Sequence, residues 1–173
     1  MFCMSCPDDK IKAIDQLHIV PVAISYEWES CDILKTLELY ESQFAKYTKK
    51  PGEDLNSILT GISHPKGRVH IEICEPISRM ELMKLEQLTS NEYHKAVAHL
   101  LDERINKAYR LYPNNYIAYD LRYGTRKYQD FYTPQQKEEF LAHVRELEHY
   151  DTCDIEMLKD IYLGIYANPV NNK

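Results

Sequence analysis

The chain has 173 residues, 44% apolar and 28% charged, which fits a single domain with an ordinary core. Its net charge of −6 is spread evenly, with 10 Lys/Arg against 14 Asp/Glu in residues 1–90 and 11 against 13 in residues 91–173, which excludes a basic nucleic-acid footprint and an acidic tail. The longest apolar run, residues 19–24, falls far short of the roughly 20 residues that cross a bilayer, and five cysteines without a signal-peptide pattern imply free thiols in a reducing cytoplasm.

Residues 7–17 predict a short helix with Pro7, Asp8 and Asp9 at its start, where acids suit the positive helix end. Ahead of it, Cys3-Met4-Ser5-Cys6 has metal-ligand spacing, but no second pair completes a zinc site and no metal is expected. Residues 18–28 predict a strand that is apolar on both faces. Val20, Val22, Ile24, Tyr26 and Trp28 share one side; Ile19, Pro21, Ala23 and Ser25 share the other, compact enough for a helix to approach closely. Pro21 lacks a backbone donor and belongs at a bulge or an unpaired position.

Residues 31–49 predict a helix with Ile33, Leu34, Leu37, Tyr40, Phe44 and Tyr47 at three- and four-residue steps, stopped by Pro51-Gly52. A second helix over 53–63 is expected to turn Leu55, Ile58, Leu59 and Ile62 inward. After the Lys66-Gly67 turn, residues 68–75 alternate as a half-buried strand, with Val69, Ile71 and Ile73 one way and His70, Glu72 and Cys74 the other. Beyond Pro76 the pattern is helical: a short helix at 79–87, a long one capped by Ser90 and running through Leu111 to bury Tyr93, Val97, Leu100, Leu101, Ile105, Ala108 and Leu111, another from Pro113 through Tyr123 ended by Gly124, one opened by a Thr133-Pro134-Gln135-Gln136 capping box and running to about His149, and a last one capped by Asp154 and running to about Ala167. The fold class expected is α/β in its first part, α+β-like in content: a truncated sheet of two or a few strands packed with helices, then a mainly helical half. The division expected is residues 1–78 and 79–173. Eleven of the fourteen tyrosines lie after residue 90, where they pack helices together or line an interface.

Few residues carry recognisable chemistry. Glu27 and Glu29, two apart on one strand face, could divide acid and base roles, although a solvated strand end is the simpler explanation. His70 beside Glu72, with Cys74 on the same face, has the ingredients of a base, its orienting acid and a thiol. His94 and His99 are five apart on a helix, a spacing that does not converge on one ligand. No phosphate loop, nucleophile elbow or zincin motif occurs.

The text "HIVPVAISYEWESCDILK", "KKPGEDLNSILTGI" and "KGRVHIEICEPI" resembles the second half of the glycerolipid acyltransferases of the 1-acyl-sn-glycerol-3-phosphate type. Val20-Pro21-Val22 is similar to that family's fourth motif, and Gly67-Arg68-Val69 with Glu75-Pro76-Ile77 is similar to its late strand. "YRLYPNNYIAYDL" and "KYQDFYTPQQKEEFLAHV" resemble the branch found in Bacteroidetes-type bacteria, so the likeness covers nearly the whole chain. It implies phospholipid biosynthesis: transfer of an acyl group from a carrier thioester to a lysophosphatidate-like hydroxyl, without a cofactor. It also implies that Val20, Pro21 and Val22 help wall the substrate pocket. The family works through His-x-x-x-x-Asp, and here only His149 with Asp154 matches in letters, at a helix end and cap instead of ahead of the strands. The expectation is therefore a C-terminal part of such an enzyme, without catalytic residues and inactive alone, cytoplasmic with at most peripheral membrane contact. Its apolar strand is expected to pair two copies, unless the helix at 7–17 covers it. The alternatives are a non-catalytic binding or assembly module using the tyrosine-rich half, and a hydrolase using His70 and Cys74.

Overall fold

The computed structural model describes residues 9–173, so the Cys3/Cys6 pair and the helix start at Pro7 and Asp8 lie outside the described residues. Ten elements alternate as α1 (Lys10–Asp15), β1 (Val22–Tyr26), α2 (Asp32–Phe44), α3 (Glu53–Ser63), β2 (Val69–Ile73), α4 (Arg79–Lys84), α5 (Ser90–Ala108), α6 (Pro113–Tyr123), α7 (Pro134–Arg145) and α8 (Ile155–Asn171), with two short 3-10 turns at Gln129–Phe131 and Glu146–His149. The protein is mainly helical with one small antiparallel two-stranded sheet, and its C-terminal half is helical, as the pattern predicted. Two compact units interleave along the chain: Met1–Ser25 with His70–Arg110, and Tyr26–Val69 with Leu111–Lys173.

In the first unit, α1 is capped by Asp9, whose carboxylate accepts from the Lys12 amide at 2.9 Å. It buries Ala13 and Ile14, the latter in a cluster with Ile77, Leu82, Tyr93 and Val97. Two capping boxes start the neighbouring helices. Ser78 and Glu81 close α4; Thr89 and Glu92 close α5, one residue ahead of the expected cap at Ser90. Helix α5 ends at Ala108 instead of Leu111, because the Arg110 amide leaves the helical ladder to donate to the buried Ser25 hydroxyl at 2.8 Å. Its expected burial is confined to Tyr93 and Val97, with Leu100 and Leu101 packed at the cluster's margin.

The strands are shorter than predicted. Backbone bonds from Glu27 N to Arg68 O and from Cys74 N to Pro21 O, both 2.9 Å, bracket the ladder and set Ile24 opposite Ile71 and Val22 opposite Ile73. The compact side is covered: Pro21, Ala23 and Ser25 are buried. The aliphatic side is not: Val20, Val22 and Ile24 are about 45% exposed, Ile71 61% and Ile73 74%. Helix α1 packs against α4.

In the second unit, the core is Ile117, Ala118, Phe140, Val144, Leu147, Leu158, Tyr162, Tyr166 and Ala167, with Ile33, Leu37 and Tyr40 of α2 packed against it. The Thr133–Gln136 box and the Asp154 cap start α7 and α8 as predicted. Helix α8 runs past Ala167 to Asn171 with Pro169 inside; so near the helix end proline forfeits little of the ladder, and Val170 gains burial. The inward stripe expected on α3 is reversed: no residue of α3 is buried, and Leu55, Ile58, Leu59 and Ile62 are 57–75% exposed.

Candidate functional site

The residues with a sequence-based claim to the pocket wall are split by the pleat. Successive strand side chains point to opposite faces, so Val20 and Val22 sit on the open side and Pro21 is buried on the covered one. The open side adds Ile24, Val69, Ile71 and Ile73 to the two valines, all of them 44–74% exposed.

Glu27 and Glu29 do not form an acid–base pair. β1 ends at Tyr26, and each carboxylate has its own partner. Glu27 receives the Arg68 guanidinium twice, at 2.8 and 3.0 Å, and the Arg68 amide at 3.0 Å, and these bonds hold it below the usual carboxylate range. This clamp needs Gly67: its φ is +61°, and an added Cβ would lie 2.8 Å from the Glu27 Oε2 atom. Glu29 pairs with Lys35 at 2.8 Å and accepts from the Cys31 amide at 3.3 Å.

His70 and Glu72 do meet, Nε2 to Oε2 at 3.2 Å, as read from the strand alternation. The Cys74 sulfur instead lies 3.8 Å from the Arg104 carbonyl and 3.9 Å from the Glu72 carbonyl, so it is a weak donor to backbone and not the partner of His70. His149 and Asp154 are apart in function too. The histidine Nδ1 is 2.9 Å from the Glu146 carbonyl, while the aspartate Oδ1 accepts from the Glu156 and Met157 amides at the start of α8. An aspartate engaged as a helix cap does not orient a base. His99 pairs with Glu103.

The structure adds a cleft that sequence reasoning did not find. It holds about 360 Å³ between Trp28, the α2 start at Cys31–Leu34, the α3 end at Thr60 and His64, and His143 with Glu146. Trp28 packs against two rings of α7, with the His143 ring centroid at 4.3 Å and that of Phe140 at 5.8 Å. Asp32 anchors the cleft's floor: its Oδ2 accepts from the Tyr162 hydroxyl at 2.8 Å and the Tyr166 hydroxyl at 2.7 Å, and Tyr166 in turn accepts from the Glu29 amide. Burial and the Asp32 charge raise both phenols, so they stay protonated donors. Cys31 donates to the Ser57 carbonyl at 3.5 Å, and burial followed by the Glu29 charge raises its pKa, so it remains a thiol. The His64 Nδ1 faces the Thr60 carbonyl at 3.1 Å. The cleft has groups that bind and orient but no thiolate–imidazole pair. The only hint in sequence is the four-residue spacing of Tyr162 and Tyr166 on one helix face. Among the described residues no His, Cys, Asp or Glu group could hold a metal ion, and no helix is long and apolar enough to cross a membrane.

The tyrosines divide. Tyr162 and Tyr166 are core; Tyr116, Tyr119 and Tyr128 meet near the surface with Phe131, at ring separations of 4.6–5.9 Å, and the Lys127 ammonium lies 4.8 Å from the Tyr128 ring. No family model, no curated protein and no solved structure matches the chain.

Proposed function

We propose that this chain contributes the apolar wall of a glycerolipid acyltransferase and does not itself transfer the acyl group. The observation that carries this reading is the open aliphatic face that joins Val20 and Val22, two of the three positions where the resemblance puts the pocket wall, to Ile24, Ile71 and Ile73. An acyl chain leaves water readily for such a surface. In the reaction implied, the acceptor hydroxyl attacks the thioester carbonyl, a C–O bond forms, the C–S bond breaks, and the thiol departs with a proton. A histidine base oriented by an aspartate would take the hydroxyl proton, and the one spacing match here, His149 and Asp154, is bound to backbone at both ends. General-base catalysis contributes about 10²–10⁴-fold, so its loss leaves little.

Two measurements test this. The purified chain, mixed with a long-chain acyl thioester and lysophosphatidate, is expected to give no ester product above the protein-free control; turnover that survives His149→Ala would defeat the claim that it lacks a catalytic base. A fluorescent acyl probe is expected to bind wild type and to lose at least about tenfold in affinity with Val22→Glu, since a charge replaces an aliphatic contact. Equal binding by both proteins would remove the wall. The second reading, a binding module, is favoured by the Tyr116–Tyr119–Tyr128–Phe131 cluster, and predicts instead that Phe131→Ala abolishes partner capture.

A further inference from the structure

Helix α3 is amphipathic the wrong way round for a core helix. Its polar side faces the protein: the Ser57 carbonyl accepts from Cys31, Gly61 lies 3.8 Å from the Cys31 sulfur by its missing Cβ, the Gly61 carbonyl takes the Lys66 ammonium, and Glu53 at its start accepts from Tyr47. Its aliphatic side, Leu55, Ile58, Leu59 and Ile62 at successive three- and four-residue steps, faces water at 57–75% exposure. Phe44, 69% exposed, ends the preceding helix.

The charge around this stripe departs from the rest of the chain. Residues 38–68 hold five Lys/Arg and four Asp/Glu, net +1, against −7 on the remainder of a chain whose total is −6, and Arg68 is held by Glu27. Lys46, Lys49 and Lys50 form the link into α3. Lys49 pairs with Asp54, and Lys50 lies 3.6 Å from Glu41, but these pairs are solvent-exposed and exchange easily for phosphate. An outward aliphatic stripe with an exposed phenylalanine and flanking lysines is the pattern of a helix that lies in a lipid interface. A second copy is a poorer occupant, because a two-fold contact would set the same lysines against each other.

We propose that the α3 face, with Lys46, Lys49 and Lys50, binds an anionic lipid surface. The aliphatic side chains enter the boundary between headgroups and acyl chains, while the lysines reach the phosphates. This does not rest on the acyl-transfer reading, and it is measured without any substrate.

The test is co-sedimentation of the full chain with vesicles of phosphatidylcholine alone or mixed with phosphatidylglycerol. Binding to the mixed vesicles, falling as salt rises, is expected. Ile58→Ser with Leu59→Ser replaces two exposed side chains, so the circular dichroism spectrum should not change while partitioning drops at least about tenfold. Each of Lys46, Lys49 and Lys50 changed to Gln should weaken binding about fivefold. Met80→Ser, an exposed side chain on α4, should leave it unaltered. The proposal fails if the mixed vesicles pellet no more protein than phosphatidylcholine, if the Ile58/Leu59 double substitution binds like wild type, or if Met80→Ser abolishes binding as the double substitution does. It fails equally if the double substitution dissolves a dimer seen without lipid, which would assign the face to a second copy.

Discussion

Glu81 joins two helices through one carboxylate. Its Oε2 accepts from the Ser78 amide and hydroxyl at 2.9 and 2.7 Å, and its Oε1 takes the Arg104 guanidinium at 2.6 Å. The Ser78 hydroxyl, then its amide, then Arg104 hold the carboxyl down at about 2, against an ordinary 4.5. The unfolded chain therefore binds this proton first as pH falls. The contribution is complete above about pH 4.5 and is lost on the way down to about 2. Urea midpoints measured across that window are expected to fall with pH in wild type, and less steeply in Glu81→Gln. Parallel slopes would mean that Glu81 is equally protonated in both states.

At the scale of elements, α7 and α3 should respond oppositely to the same kind of truncation. Phe140 is fully buried between Trp28, Tyr162 and Tyr166, so Phe140→Ala is expected to cost about 3–5 kcal/mol. Ile62, 75% exposed on α3, should change stability by no more than about 0.5 kcal/mol when made alanine. Equilibrium urea unfolding of both variants decides it; a comparable loss at Ile62 would mean that the stripe is covered in the folded protein. The contrast also marks what the sequence could reveal. Helix starts were legible where the signal is local: Thr133 with Gln136, and Asp154 ahead of α8. The alternation of compact and large residues in β1 was legible too, with no indication of which side stays open. Periodicity finds a stripe, not its partner, and so α3 was turned inward. The end of β1 depended on Arg68 clamping Glu27 from 41 residues away, and the cleft on Tyr162 and Tyr166 reaching Asp32 from 130 and 134. Such pairings leave no local pattern.

For the molecule as a whole, the open sheet face governs behaviour in dilute solution. Both strands of a two-stranded sheet are edges, with backbone groups and side chains left to water. We expect the purified chain to self-associate through Val22, Ile24, Ile71 and Ile73, in a two-fold arrangement that presents one patch twice. Light scattering at micromolar concentration should give a mass above the 20.4 kDa of one chain, and Ile71→Lys should return it to that value. A wild-type monomer that binds no hydrophobic dye would sink the idea.

The two phenols over Asp32 give the protein a built-in optical gauge of its own integrity. Phenolate absorbs further into the near ultraviolet than phenol does. As the solution is made alkaline, tyrosines at the surface ionise and the absorbance climbs. Tyr162 and Tyr166 cannot follow while they are buried against a carboxylate, because ionisation would put a second negative charge beside the first. In the unfolded chain they would ionise near 10, so rising alkalinity pulls the fold apart, and these two phenols add to the absorbance only as α2 and α8 separate.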